Sequence, residues 1–541
     1  MNLLRYWHTL KYLRPIQIYG RVWFSLYKPI PDLSPPPPLR ARYGRWVEPA
    51  RLKPSLVGPR EFYFCGTQAS LDSLGWDGPD MERLWRYNQH YFEDLVAQGA
   101  NERRDWHQAL VHRWVTDNPP GKGVGWEPYP TSRRIINWIK WALEGGKLEE
   151  KAIHSLAVQA RWLEKRIEWH LLGNHLLANA TALIFAGIFF EGNEAERWLQ
   201  KGIQILDAQL TEQILEDGGH FELSPMYHAV VLRDMLDLYN LATVYSQIPI
   251  LKERLIGWTD MINRMRRWLL VMSHPDGDIA FFNDAAFGVA PSTAELEKYS
   301  YRLGLQSVPS PSDGVTHLKQ SGYIRLQGNS AVAILDCAPI GPDYQPGHAH
   351  ADTLSFELSV GKQRVLVNSG TSTYEAGEER MRQRGTASHN TVTIDGQNSS
   401  EVWACFRVAR RANLTDLSIE QQGPEIDVRA RHDGYYWLKG SPVHERYWFF
   451  SSNKLSIEDR VRGKSKVAVS RFHIHPECMV GFYEPKGMIE GPGLKVKFEI
   501  EGGKAQIEGV SWYPQFGQSI SAKCLSVYLV DGRMRTTFSF S

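Results

Sequence analysis

The sequence predicts a multidomain α+β protein, with an all-α half followed by an antiparallel β half. Two observations carry this. From Trp85 to about residue 272, apolar residues recur three and four apart, the period of a helix with one buried face. Past Val308-Pro309-Ser310-Pro311-Ser312 the texture changes. Short alternating runs appear, such as Tyr323-Ile324-Arg325-Leu326 and Arg446-Tyr447-Trp448-Phe449-Phe450, punctuated by turns at Asp395-Gly396, Asp433-Gly434 and Asp531-Gly532. At 541 residues the chain is too long for one ordinary core. The expected divisions are 1–40, helical and extended; 41–308, helical hairpins; and 309–541, antiparallel sheets.

In chain order, residues 1–30 are aromatic and basic and read as one or two helices. Ser34-Pro35-Pro36-Pro37-Pro38 is a stiff extended connector. Helices are predicted near 88–98, 102–117, 131–145, 149–169, 174–190, 193–215, 225–246 and 249–272. The clearest begins at Asn174, where Leu176, Leu177, Ala180, Leu183, Ile184 and Gly187 share one face. Short connections imply antiparallel neighbours. A closed ring of hairpins is compatible with this spacing, which does not by itself establish it.

Composition narrows the function. A net charge of +2 lacks the basic excess of a nucleic-acid binder. Rings are plentiful, with 19 Trp, 23 Tyr and 21 Phe, and serve either as core filling or as platforms for sugar faces. Cys65, Cys337, Cys405, Cys478 and Cys524 are scattered, which fits neither a disulfide framework nor a cysteine metal site. The start lacks the apolar run of a signal peptide, and no segment is long and apolar enough to span a bilayer. The expectation is a soluble protein, cytoplasmic or exported by an unmarked route, with no membrane or nucleic-acid partner.

The chemistry concentrates between Gly347 and Val392. His348, His350 and Asp352 are spaced by two, so on an extended strand they share a face. With His389 they form a set able to bind a metal or move protons. His350 and His389 are the leading ligands; Asp352 is the nearest carboxylate, and Asn368 offers an amide oxygen. Two helix starts add to this. Gly173-Asn174-His175 places Asn174 as the N-cap, and Ser224-Pro225-Met226-Tyr227 has Ser224 as cap with Tyr227 in the first turn. Backbone N–H groups at such starts favour an anion; local capping and packing is the plainer reading. The junction Trp126 to Trp138, with Arg133, Arg134 and Asn137, carries rings and guanidinium groups that suit an acidic sugar. Asn88, His90 and Tyr91, with Tyr374 and Arg384, complete the candidate substrate contacts. Asp276-Gly277-Asp278 and Asn283-Asp284 read as turns.

Asn174-His175, Tyr227, His348-Ala349-His350, Val367-Asn368-Ser369-Gly370-Thr371 and Ser388-His389-Asn390 follow one another as in heparinase II/III-like polysaccharide lyases. The chain resembles that family from about Trp85 to about Phe450. The resemblance implies an (α/α) toroid of helical hairpins followed by an antiparallel β-sandwich, with the cleft between them. It implies β-elimination on an anionic, uronic-acid-containing polysaccharide: heparan sulfate, chondroitin sulfate, hyaluronan or alginate. Asn174 then neutralises the substrate carboxylate, and Tyr227 is the acid and a candidate base. His175 and His348 serve as base or helper, and His350 and His389 hold a divalent metal such as Zn, Mn or Ca. No organic cofactor is implied. Asn368 departs from the family, where members with a bound metal often carry Asp. Two other functions stay open. A glycoside hydrolase needs two carboxylates, for which Glu127, Asp217, Glu222 and Asp276 are available. A polysaccharide-binding or assembly protein needs none.

Overall fold

Where the apolar period is helical, the chain folds as helices laid side by side. In this computed structural model, which describes residues 3–540, the long helices are Arg83–Tyr91, Arg104–Asp117, Pro128–Leu143, Glu150–Lys165, Gly173–Phe189, Asn193–Gln213, Pro225–Val244 and Leu255–Val271. Gly173–Phe189 is buried at every residue except His175. A helix apolar all round has no face to give to water. It therefore sits inside, against Pro128–Leu143, Asn193–Gln213 and Pro225–Val244. Small residues let the tightest of these pairs close. A Cβ on Gly187 would lie 2.5 Å from the Leu199 nitrogen, and one on Gly202 2.9 Å from the Ala180 carbonyl oxygen.

Three local readings need correction. The helix expected over 88–98 is in two pieces: Arg83–Tyr91 stops at Phe92, which is left-handed at φ 58°, and a 3-10 turn Glu93–Val96 follows. The Phe92 ring packs against Trp76, Trp114 and Trp138; tertiary packing holds a conformation that local preference disfavours. Periodicity also missed the helix Thr293–Arg302, capped by Ser292, and the small sheet Leu56–Gly58, Glu61–Phe64 and Thr67–Ser70. Finally, His348, His350 and Asp352 do not lie on a strand. They occupy an irregular segment between the strands Ala331–Asp336 and Phe356–Val360. Pro342, Pro346 and the left-handed Gly341 interrupt any ladder there.

The second half forms one nine-stranded and one eight-stranded sheet, in which neighbouring strands run antiparallel. Phe356, Phe472 and Leu525 of the first share a core with Trp448, Phe498 and Phe538 of the second. Alternation is clean in Leu494–Glu501, where buried and solvent-facing residues take turns.

The halves are joined by the segment after Leu255–Val271. The Phe281 N–H donates to Glu357, the Asp284 N–H to the His348 carbonyl at 2.9 Å, and the Thr371 N–H to the Ala285 carbonyl at 3.1 Å. The helices Leu3–Leu10 and Pro15–Leu26 also touch both halves: Arg5 pairs with Glu401, and Arg14 with Glu212.

Candidate active site

The helix Pro225–Val244 begins as its sequence requires. The Ser224 hydroxyl accepts the Tyr227 N–H at 3.2 Å and donates to the Asp284 carbonyl at 2.5 Å. One side chain thus caps the helix and ties it to the segment that joins the halves, leaving Tyr227 in the first turn facing the cleft. Its hydroxyl lies 2.9 Å from that of Tyr374. Burial, then Tyr374 and Asp284, push the Tyr227 phenol well above its ordinary range. The resting form is the protonated phenol.

Asn174 is not the N-cap. Leu172 takes that position, left-handed at φ 60°, and Gly173 opens the helix at φ 55°. The Asn174 N–H points to Glu222 Oε1 at 3.4 Å. Its side-chain oxygen is buried without a partner. An unpartnered amide oxygen on the wall of a cleft is a group that a polar ligand or water there would satisfy. His175 follows, with Nδ1 3.1 Å from Glu168 and its ring against Tyr129. Burial works against its charge, but Glu168 outweighs that and raises its pKa.

The sheet half supplies His348. Its ring lies over that of Tyr227, centroids 3.9 Å apart. Its Nδ1 is 2.9 Å from Asp284 Oδ2, and its Nε2 is 3.5 Å from Glu222. Asp284 is the hub of the site. It is wholly buried and bonds His348, His350 and Thr371, with Arg380 forked onto both oxygens. Burial alone would raise its pKa; Arg380 and the two imidazoles overcome that and hold it well below the usual carboxylate range. An ionised Asp284 fixes the His348 proton on Nδ1 and leaves a lone pair on Nε2.

A cleft of about 1300 Å³ lies between the halves, with Asp284, Glu222 and Arg380 behind its wall. Asn174, His175, Tyr227 and His348 are all on its wall, with Asn88, Tyr91, Arg133 and Tyr374. The other expected substrate contacts are not, and the reason is burial. His90 accepts from the Trp114 indole, Asn137 donates to the Tyr91 carbonyl, and Trp126 donates to the Asn118 carbonyl within the helical core. Arg134 stacks on Trp114 and binds Gln159 and the Gly125 carbonyl. Arg384 ties the carbonyls of Ala349 and Ala404. Sequence reasoning missed Asp284, Glu168 and Arg380, and offered Glu222 only as a spare carboxylate for hydrolysis. Asp284 reads as an ordinary turn, and nothing near it in sequence marks it otherwise.

The expected metal ligands fit a metal poorly. His350 Nδ1 and His389 Nε2 face each other at 3.2 Å, with the far nitrogen of His350 on Asp284 at 2.8 Å as a ligating imidazole would have it, but two imidazoles alone do not make up a ligand set. The Asn368 oxygen accepts the Asn390 N–H at 3.1 Å, and its amino group donates to the Phe281 carbonyl at 2.9 Å. Asp352 accepts the Asn283 N–H and is kept from the pair. Among the described residues no three His, Cys, Asp or Glu side chains form a metal-holding group. The arrangement instead closes as hydrogen bonds, with His389 donating to His350 and His350 to Asp284.

A helical half and a half of antiparallel sheets thus enclose one cleft that carries phenol, imidazole and amide side chains. Comparison places the chain in a family. Residues 103–302 match the family described as "Heparinase II/III N-terminus", and residues 310–539 match "Heparinase II/III-like, C-terminal". The chain belongs to the heparinase II/III-like family. A heparin-sulfate lyase of Pedobacter heparinus is 29% identical over 249 residues, 42% of this chain and 36% of that protein. A heparin-sulfate lyase of Bacteroides stercoris is 29% identical over 331 residues, 56% of this chain and 46% of that one. These matches span less than half the length of either relative. Among solved structures, heparinase III superposes with a TM-score of 0.66 at 18% identity, covering 85% of this chain and 76% of that one. The fold is of that type.

Proposed function

We propose that the protein is a polysaccharide lyase that cleaves a uronic-acid-containing glycosaminoglycan by β-elimination and leaves an unsaturated uronate end. One observation carries this reading: the Asn174 amide, the Tyr227 phenol and the Asp284-oriented His348 imidazole line a single cleft. The names of the relatives favour a heparan-type chain. Arg21, Lys53 and Arg407 on the cleft wall suit a polyanion, and no carboxylate pairs with them among the described residues. The helical hairpins are read as an incomplete (α/α) toroid, and the two sheets as a sandwich.

The C5 hydrogen beside an ionised carboxylate is barely acidic, so that carboxylate must be neutralised as charge moves onto it. The Asn174 amide, with His175 beside it, does this by preorganised electrostatics. His348 Nε2 takes the C5 proton. The electron pair of the C5–H bond becomes the C4–C5 double bond as the C4–O4 bond breaks. Tyr227 passes its phenolic proton to O4. A single tyrosine acting as both base and acid would need a phenolate, which its surroundings oppose, so the roles divide between imidazole and phenol. The hydrolase reading has less support: Glu127, Asp217, Glu222 and Asp276 are not on the cleft wall, and Asp276 is forked onto Arg364.

The test is ultraviolet absorbance of the conjugated product with heparan sulfate, chondroitin sulfate, hyaluronan and alginate. Tyr227→Phe should lower turnover by about 10²–10⁴-fold while polymer still binds. New reducing ends without the absorbance would mean hydrolysis and would overturn the lyase reading.

A further inference from the structure

The helices Leu3–Leu10 and Pro15–Leu26 are amphipathic the wrong way round for a water-facing surface. The residues they bury are polar or small: Thr9, Gln17 and Gly20. Thr9 accepts from the Trp403 indole, Gln17 donates to the Tyr344 carbonyl, and Gly20 abuts His170, where a Cβ would lie 3.1 Å from that side chain. Most of their large apolar residues face out, Ile16 and Phe24 being the ones packed inward. On the first helix Leu3, Trp7 and Leu10 fall at helical spacing on one side and are 73%, 64% and 50% exposed. On the second, Ile18, Val22, Trp23 and Leu26 do the same, with Leu26 75% exposed. No other part of the described surface gathers exposed Leu, Ile and Trp in this way. Such a patch is costly in water and marks a contact surface.

We propose that this helical pair lies in the interface of an anionic lipid membrane. Three observations favour lipid over other occupants. The patch is mostly aliphatic, whereas a sugar platform needs rings flanked by polar groups. Tryptophan and tyrosine, here Trp7, Trp23 and Tyr19, suit the headgroup level. The charge is of the matching sign: among the described residues Lys11 and Lys28 carry no ion pair, whereas Arg5 and Arg14 are paired with Glu401 and Glu212 and Arg21 lines the cleft. Asp32, the only acid in residues 1–33, is turned back onto Ser34. A sequence search for spanning segments overlooks such a site, because lying on a membrane needs a face and not a length. Thr9, Leu13, Gln17 and Arg21 of the same segment line the cleft. Docking would therefore hold the cleft beside the lipid surface, where it meets polymer at that surface.

The experiment is co-sedimentation of the whole protein with vesicles of phosphatidylcholine, alone or mixed with phosphatidylglycerol. The expected result is binding to the mixed vesicles that weakens with salt and falls by about tenfold or more in Trp7→Ser/Trp23→Ser/Leu26→Ser. That variant should keep its thermal midpoint and its activity on soluble polymer, since none of the three residues lines the cleft. Three results would overturn the proposal: no vesicle binding by the parent; a parent dimer in sedimentation velocity that the variant dissolves, assigning the face to a second copy; or variant losses confined to heparan sulfate binding, assigning it to the polymer. Activity on soluble polymer is read separately, so failure of the lyase reading leaves this test intact.

Discussion

Replacing Asp284 by asparagine changes one atom at the centre of the site and separates two of its jobs. The carboxylate neutralises Arg380, which is itself fully buried and forked onto it. Uncoupling a buried ion pair by removing one partner costs about 3–5 kcal/mol, out of a typical total of about 5–15 kcal/mol. The second job is to orient His348. In Asp284→Asn, a side-chain amino group facing Nδ1 would make that nitrogen an acceptor, move the proton to Nε2 and abolish the base. The expected loss of turnover is about 10²–10⁴-fold. Urea unfolding reads the first effect and ultraviolet absorbance the second, on protein shown to be folded at the assay temperature. Because the pKa of Asp284 is depressed in the fold, its stabilisation is fully present above the unfolded value near about 3.9 and is lost only as pH falls through the lower folded value. The stability gap between Asp284→Asn and the parent should therefore stay constant across neutral pH. A folded Asp284→Asn protein with turnover within about threefold of the parent would refute the orienting role.

Gly173→Ala should lower kcat by about tenfold with a smaller change in KM, because φ is 55° there and the new Cβ would sit 2.9 Å from Glu222 Oε1; unchanged kcat would separate Asn174 placement from this turn. Acid should destabilise the protein early. Burial pushes His90, His228 and His473 down to about 3, and His220, His389 and His432 well below their usual value. Once unfolded, these histidines take protons below about 6.5, so stability falls as pH drops through that value. Burial raises Glu222, Asp336 and Asp352, which act in the opposite sense and offset part of this. Buried His274 adds to the first set and Glu357, raised to about 7, to the second; the histidines outnumber the acids, so unfolding takes up protons and stability falls as the solution is acidified; a flat urea midpoint between neutral and about pH 5 would refute it. Elemental analysis after dialysis against chelator should find less than one bound divalent ion per chain, given a donor set of two imidazoles and a committed amide. A stoichiometric ion surviving dialysis would overturn that reading of His350, Asn368 and His389.

Much was legible from the sequence alone because it is written locally. Period determined most of the long helices and the change to strands, Ser224 and Pro225 set the entry to the Tyr227 helix, and the ordered motifs marked Asn174, Tyr227 and His348 for one site. Chemistry without burial misled elsewhere. Arg134, Arg384 and Asn137 have the right groups for an acidic sugar, but their donors are spent on carbonyls and side chains inside the protein. Asp284 shows what only the tertiary structure decides. Its partners His348 and Arg380 lie 64 and 96 residues away in sequence. A carboxylate becomes a hub only where folding removes water and brings cations and imidazoles to it, and no local pattern encodes that meeting. The outward apolar face of the first helices is a similar case. Their alternation is visible in sequence, but which side meets the protein was settled by packing.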